Sequence, residues 1–162
     1  YYKQDRGIQL IKDADIVISF EKLRTQFSTI VIGSTILNII NKIFEKEYSN
    51  DIIFRLIYKT LNKLSSNDHN NKIFFIFFIF HLNKQLGFMP NIDQTHKKVH
   101  QKVIIFLDQI NETHIDNLLD LSVDADILKK TYNFLIFFMK YHIHSMSNIK
   151  GLNQIENIYN EL

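Results

Sequence analysis

From Phe20 onward the apolar positions of the chain recur by threes and fours rather than by twos, the period of a helix with one buried face. Leu23, Phe27, Ile30, Leu37, Ile40 and Phe44 make the expected inward stripe of a first long or broken helix that ends near Lys46. Its interruption falls at Gly33-Ser34, where small residues permit either a bend or the close approach of another helix. Ser49-Asn50-Asp51 offers capping side chains to a second helix running to about Leu64, with Ile53, Leu56, Ile57, Leu61 and Leu64 inward. Polar Ser65 to Asn71 makes a loop, and Asn70 or Asn71 opens a third helix that is apolar nearly all round until Lys84. Gly87 stands where a C-terminal glycine stop belongs. A helix without a polar face is expected at the centre of its domain.

The second half is less regular. Pro90 to Lys102 is polar and without period, Val103 to Leu107 is a candidate strand, and His114 to Leu121 reads as a short helix. Asp124 or Ser122 caps a strong helix to about Ser145, with Leu128, Tyr132, Leu135, Met139 and His142 on one stripe, and Gly151 to Tyr159 makes a last short helix. Near the start, Gly7-Ile8-Gln9-Leu10-Ile11 reads as a short strand whose one candidate partner is Val103 to Leu107. The predicted class is therefore all-α with an orphan strand at its head. There is no internal repeat and no low-complexity linker.

Composition narrows the function classes. The 162 residues, 46% hydrophobic and 13% aromatic, suffice for one sizeable core. With 19 Lys+Arg against 17 Asp+Glu the net charge is only +2, so no global field draws the chain to nucleic acid or to an anionic membrane, and any such contact must be local. Zero cysteines exclude a disulfide framework, thiolate zinc sites and a cysteine nucleophile, and suit a reducing compartment, so the cytoplasm is the expected location. The longest apolar run, Ile73 to Phe80, has eight residues, against the roughly 20 that cross a bilayer. A start at Tyr1 rather than Met leads us to expect upstream sequence.

The candidate chemistry is sparse. His96 and His100 are four apart with Asp93 one turn earlier, and His114 follows, but the segment has no helical period to align them and no thiolate to join them. Asp120, Asp124 and Asp126 match a calcium loop in charge only, since its central glycine and closing glutamate are missing; helix capping accounts for them. No nucleophile elbow, phosphate-cradling glycine loop or assembled Ser/His/Asp set is present, so the chain is expected to bind rather than catalyse. Lys59 and Lys63 lie one turn apart on the outer face of the second helix, and Lys97, Lys98 and Lys102 cluster in the polar loop; each group reads as solvated surface or as a receiver of phosphates or an acidic peptide. The phenylalanine stripes read as core before they read as a stacking platform for bases, because their spacing is helical.

An ordered set of segments carries a family resemblance. It runs from Gly7-Ile-Gln-Leu-Ile11 and Phe20-Glu-Lys-Leu-Arg24 to Glu45-Lys-Glu-Tyr-Ser-Asn50-Asp-Ile-Ile-Phe54. It continues with Leu86-Gly-Phe-Met-Pro90-Asn, Tyr141-His-Ile-His144 and Ile149-Lys-Gly-Leu152. The whole resembles the DNA repair protein family RecO, in the form typical of Bacteroidetes-like bacteria. The most specific pieces are the acidic turn with Asn50-x-x-x-Phe54, the Leu-Gly-Phe-x-Pro helix exit, and the Tyr-x-x-His-Ile plus Lys-x-Leu ending.

That resemblance implies a non-enzymatic recombination mediator with an N-terminal OB-fold and a C-terminal helical domain. Residues 1–19 would be the last OB strand and a linker, and residues 20–162 the helical domain. It implies binding of single- and double-stranded DNA, strand annealing, and partnership with RecR in loading RecA onto strands coated by single-stranded DNA-binding protein (SSB). The helical domain would receive the acidic, Phe-ending tail of SSB, with Lys59, Lys63 and Lys72 the cations expected there and Arg6, Lys22, Arg24, Lys97, Lys98 and Lys102 those expected on DNA. Two departures stand out. Many members carry four cysteines after the Leu-Gly-Phe-x-Pro exit, whereas Pro90 to Gln109 has none, so no zinc finger and no metal is expected. The family's Lys-Ser-Leu is here Lys150-Gly151-Leu152. Rival classes are a ligand-sensing domain of a transcriptional regulator, in which the Phe-rich interior would be a pocket, and a structural helical adaptor; the leading strand favours RecO over both.

Overall fold

The computed structural model describes residues 13–44, 49–66, 71–88, 101–143, 149 and 151–160. Six α-helices, α1 (Phe27–Ile43), α2 (Asp51–Ser66), α3 (Asn71–Gln85), α4 (Gln101–Glu112), α5 (Ala125–His142) and α6 (Leu152–Asn160), and two 3-10 turns, Glu21–Arg24 and Ile115–Asp120, make up the described secondary structure. Among the described residues there is no strand, and the all-α class stands. The expected strand Gly7 to Ile11 lies outside the described residues.

The third helix organises the others. Every residue from Ile73 to Phe80 is buried, so no side of α3 can face water, and α1, α2, α4, α5 and the turn Ile115–Asp120 all pack on it. Each buried Phe contributes about 1.5 to 3 kcal/mol of transfer free energy, which makes enclosure of α3 the main source of stability. Its end is a left-handed glycine stop: Gly87 has φ 75, its N–H donates to the Lys84 carbonyl (3.2 Å), and the Phe88 N–H donates to the Asn83 carbonyl (2.9 Å). This double closure is the Schellman arrangement.

Caps set the starts of the helices. The Asn50 Oδ1 accepts the Ile52 and Ile53 N–H groups at 3.0 and 3.1 Å, and the Asp124 Oδ1 accepts the Ile127 N–H at 2.7 Å, as expected of these residue types. Asn71 is the first residue of α3 rather than its cap.

Four expectations need correction. Val103 to Leu107 is not a strand but lies inside α4, where Val103, Phe106, Leu107 and Ile110 are buried and Ile105 is half exposed; the apolar run was too short for its period to be read. The first helix breaks at Thr25-Gln26, not at Gly33-Ser34, because Gln26 is extended and the Thr25 hydroxyl closes the 3-10 turn on the Lys22 carbonyl. It also ends at Ile43 rather than Lys46. Finally, its inward face is Val31, Ile32, Ile36 and Ile39, while Phe27, Ile30 and Leu37 stand exposed. The helix is apolar on two sides, and which side meets the core was decided by its neighbours; Gly33 does face Leu61 of α2, as its size suggested.

A tyrosine pair fastens the last helix. The Tyr159 ring stacks on Tyr132 (centroids 4.4 Å apart, planes at 15°), the Tyr159 hydroxyl donates to the Lys72 carbonyl (2.6 Å), and the Tyr132 hydroxyl donates to the Leu152 carbonyl (3.1 Å). Burial pushes both hydroxyls well above the ordinary tyrosine range, so they act as donors at any working pH. On the other side of α6's start, Gly151 has φ 100, and a Cβ there would overlap the Thr35 hydroxyl of α1.

Replacing Gly151 by Ala therefore meets both a left-handed backbone and a collision, whereas Gly87→Ala meets the backbone alone, with nothing near its Cβ. Gly87→Ala should cost about 1 to 2 kcal/mol and Gly151→Ala more; Thr35→Ala should recover part of the second loss and none of the first, read from urea midpoints. A second outcome concerns His81, whose ring sits 4.2 Å from Phe77 and 5.1 Å from Phe80. Burial, helped by the Lys84 charge and opposed by a hydrogen bond with the Ile110 backbone, lowers its pKa to about 4. The unfolded chain takes up this proton below about 6.5 while the folded chain does not, so stability falls as pH drops from about 6.5 to about 4. Urea midpoints at neutral and mildly acid pH should converge in His81→Phe relative to the parent.

Candidate functional site

The cations expected to receive partners are dispersed. Lys59 is exposed on α2. Lys63 is not on an open outer face: its side chain is 26% exposed and its Nζ lies 2.5 Å from the Asp116 Oδ1 in the turn that follows α4. The other Asp116 oxygen is 3.0 Å from the His114 Nδ1, and that nitrogen also accepts the Asp116 N–H at 3.4 Å when neutral. Hydrogen bonding and charge from Lys63, with a smaller contribution from His114, hold the Asp116 carboxyl below the usual carboxylate range. Lys72, half-buried at the start of α3, places its Nζ 5.7 Å from the centre of the Tyr159 ring.

The DNA-binding candidates are equally scattered. Lys22 and Arg24 are exposed on the first 3-10 turn. Lys102 is exposed on the first turn of α4, at a groove of about 220 Å³ that it shares with Ile105, Gln109 and Asp124. Arg6, Lys97 and Lys98 lie outside the described residues, as do His96, His100 and Asp93. His114 caps the turn Ile115–Asp120, Asp124 caps α5, and Asp126 pairs with Lys130 at 2.6 Å. Among the described residues no three His, Cys, Asp or Glu side chains converge as a metal site would need.

Sequence reasoning missed two surfaces. An apolar groove of about 540 Å³ opens between the end of α1 and the start of α2, lined by Ile40, Phe44, Ile53, Phe54 and Ile57 with Asn50 and Asp51 at its polar end. Helical spacing assigns Ile40, Phe44, Ile53 and Ile57 to a closed core; Ile53 is buried there, while Ile40, Phe44 and Ile57 are only partly buried at its edge. None of the lysines singled out from the sequence lines this groove. On α5, Phe137 and Tyr141 are 69% and 70% exposed, and His142, expected on the buried stripe, is exposed and stacks on Phe88 (5.1 Å, planes at 8°). The run Phe137-Phe138-Met139-Lys140-Tyr141, more aromatic than one buried stripe needs, is the available signal.

Because Lys63 is the chief cause of the low Asp116 titration, Lys63→Ala should move the carboxyl midpoint of Asp116 up toward the ordinary value in a carbon-detected NMR titration. Asp116 has its pKa depressed by folding, so the stability it adds is present above about pH 4 and is lost as pH falls through the lower, folded value. The variant should lose part of that acid-limb dependence.

No helix among the described residues is long and apolar enough to cross a membrane. Searches of curated proteins and of solved structures give no match. Residues 24–98 match the family model described as recombination protein O, C terminal, a stretch that contains α1, α2 and the enclosed α3. With the all-helical architecture, this match supports a RecO-type protein of recombination and repair, in its C-terminal helical part.

Proposed function

We propose that this helical domain holds protein partners for a recombination mediator that acts in the cytoplasm without turnover chemistry. In that reading an OB-fold, of which residues 1–19 are the last strand and linker, grips single- and double-stranded DNA. The mediator anneals complementary strands and joins RecR in loading RecA onto strands coated by SSB. The observation that carries the reading is the family match over residues 24–98.

Docking of the acidic, Phe-ending SSB tail requires an apolar seat for the terminal ring and cations for the carboxylates. The groove between α1 and α2 offers an apolar seat for a ring, with Asp51 and none of the lysines on its lining; Lys59, Lys63 and Lys72 are the cations proposed for the carboxylates, outside the groove. Lys63 would have to exchange Asp116 for a tail carboxylate, so Lys59 and Lys72 are expected to contribute more.

Titration of an SSB tail peptide against the chain tests the reading. Lys72→Ala should weaken binding about tenfold, in line with about 1.5 kcal/mol for a charge-assisted hydrogen bond, and exposed Lys59→Ala by a few-fold. Unchanged affinity in both variants removes these residues from the site. Loss confined to Phe54→Ala seats the tail in the groove without them, and a chain that binds no tail peptide overturns the docking role.

A further inference from the structure

The outer face of α5 combines features that no role above uses. Phe137 and Tyr141, one turn apart, are the most exposed rings of this helix at 69% and 70%. Lys129, Asn133 and Lys140 are exposed on the same side, so cation, amide, ring, cation and ring follow one another over about 18 Å at 1.5 Å per residue. The Tyr141 ring meets His142 edge-on at 5.2 Å, and His142 stacks flat on Phe88 at 5.1 Å, which extends the aromatic surface across the exit of α3.

The core does not require this arrangement. The buried face of α5 is supplied by Ile127, Leu128, Tyr132, Leu135, Ile136 and Met139, and a soluble helix gains nothing from two large rings in water. A single exposed apolar side chain is ordinary; two rings one turn apart, with a lysine between them and another about two turns before, are a different composition. The carboxylates facing this surface are Asp126, held by Lys130 at 2.6 Å, and Glu156 of α6, across a shallow groove of about 190 Å³ that Phe137 and Lys140 line. Among the described residues Lys129 and Lys140 form no ion pair and can meet an outside anion. Rings that stack on any base, with ammonium groups that follow a phosphate backbone, are the recognition chemistry of single-stranded nucleic acid.

We propose that the Phe137 and Tyr141 rings of α5, with Lys129 and Lys140, form a stacking platform for a single nucleic-acid strand on the helical domain. The inference rests on the mediator reading and adds to it a second strand-binding surface, apart from any OB-fold. A duplex, whose bases are already stacked inside, engages the lysines alone.

Fluorescence anisotropy of the full chain with labelled oligothymidine, oligouridine and a duplex, at several salt concentrations, tests the proposal. Phe137→Ala/Tyr141→Ala should weaken binding of both single strands about tenfold or more, with the salt dependence unchanged and duplex binding unaffected. Lys129→Gln/Lys140→Gln should flatten the slope of log affinity against log salt by about 1.4. Phe27→Ala/Leu37→Ala, which removes exposed apolar side chains from α1, should change neither. Thermal melts check folding, and Phe137→Leu/Tyr141→Leu keeps apolar bulk without the rings if the alanine pair is unstable. Parental affinity in the ring-free variants overturns the proposal, as does loss of SSB tail peptide binding with strand binding intact, which gives the face to a protein. A parent chain that binds the tail peptide but no single strand sinks this platform and leaves the mediator reading standing; one that binds neither removes both.

Discussion

A helix with no polar side must be enclosed on every side, and α3 imposes that condition on the whole domain. Ile73 to Phe80 are buried without exception, so water is excluded from the full circumference of the helix. Four other helices and a 3-10 turn are recruited to one axis. The apolar faces of α2, α4 and α5 are the surfaces that such a helix needs, and their caps and stops place those faces in register with it.

Enclosure of this kind pushes polar function to the rim. Thr29 and Thr60 are buried but donate to carbonyls of their own helices or the preceding turn, and the tyrosine hydroxyls of the α5–α6 clasp reach backbone carbonyls. Among the described residues no Lys, Arg, Asp or Glu is buried. The surfaces left around the core are a groove between α1 and α2, the Lys63–Asp116 pair at the turn Ile115–Asp120, and the outer side of α5. The Gly151–Thr35 approach belongs to the same economy of space, since α6 can close over α1 only where a side chain is missing.

Much of the architecture was legible in the residues. The extents of α2 and α3, the glycine stop at Gly87, the Asn50 and Asp124 caps, and the stripe Leu128, Tyr132, Leu135 and Met139 follow from spacing and capping chemistry alone. Such signals are local, involving residues within a turn or two of each other. The reading failed where local pattern is degenerate. In α1 two apolar faces compete, and Val31, Ile32, Ile36 and Ile39 were buried in place of Phe27, Ile30 and Leu37. In α4 an apolar run of strand length proved to be part of a helix. For the candidate site less is legible: spacing offers Lys63 as solvated surface or as a receiver of phosphates or an acidic peptide, whereas Asp116, more than fifty positions away, holds it.

By itself, then, the sequence determined that the chain is all-helical, where most helices begin and stop, that one of them is central, and which family's order of segments it follows. These are consequences of backbone propensity and apolar spacing, which act over a few residues. Only the tertiary structure decided which face of α1 meets the core, which lysine is engaged by a distant carboxylate, and which rings of α5 remain in water. Those outcomes depend on what else competes for the same surface of α3. That competition is between segments far apart in the chain, so no window of neighbouring residues contains its result.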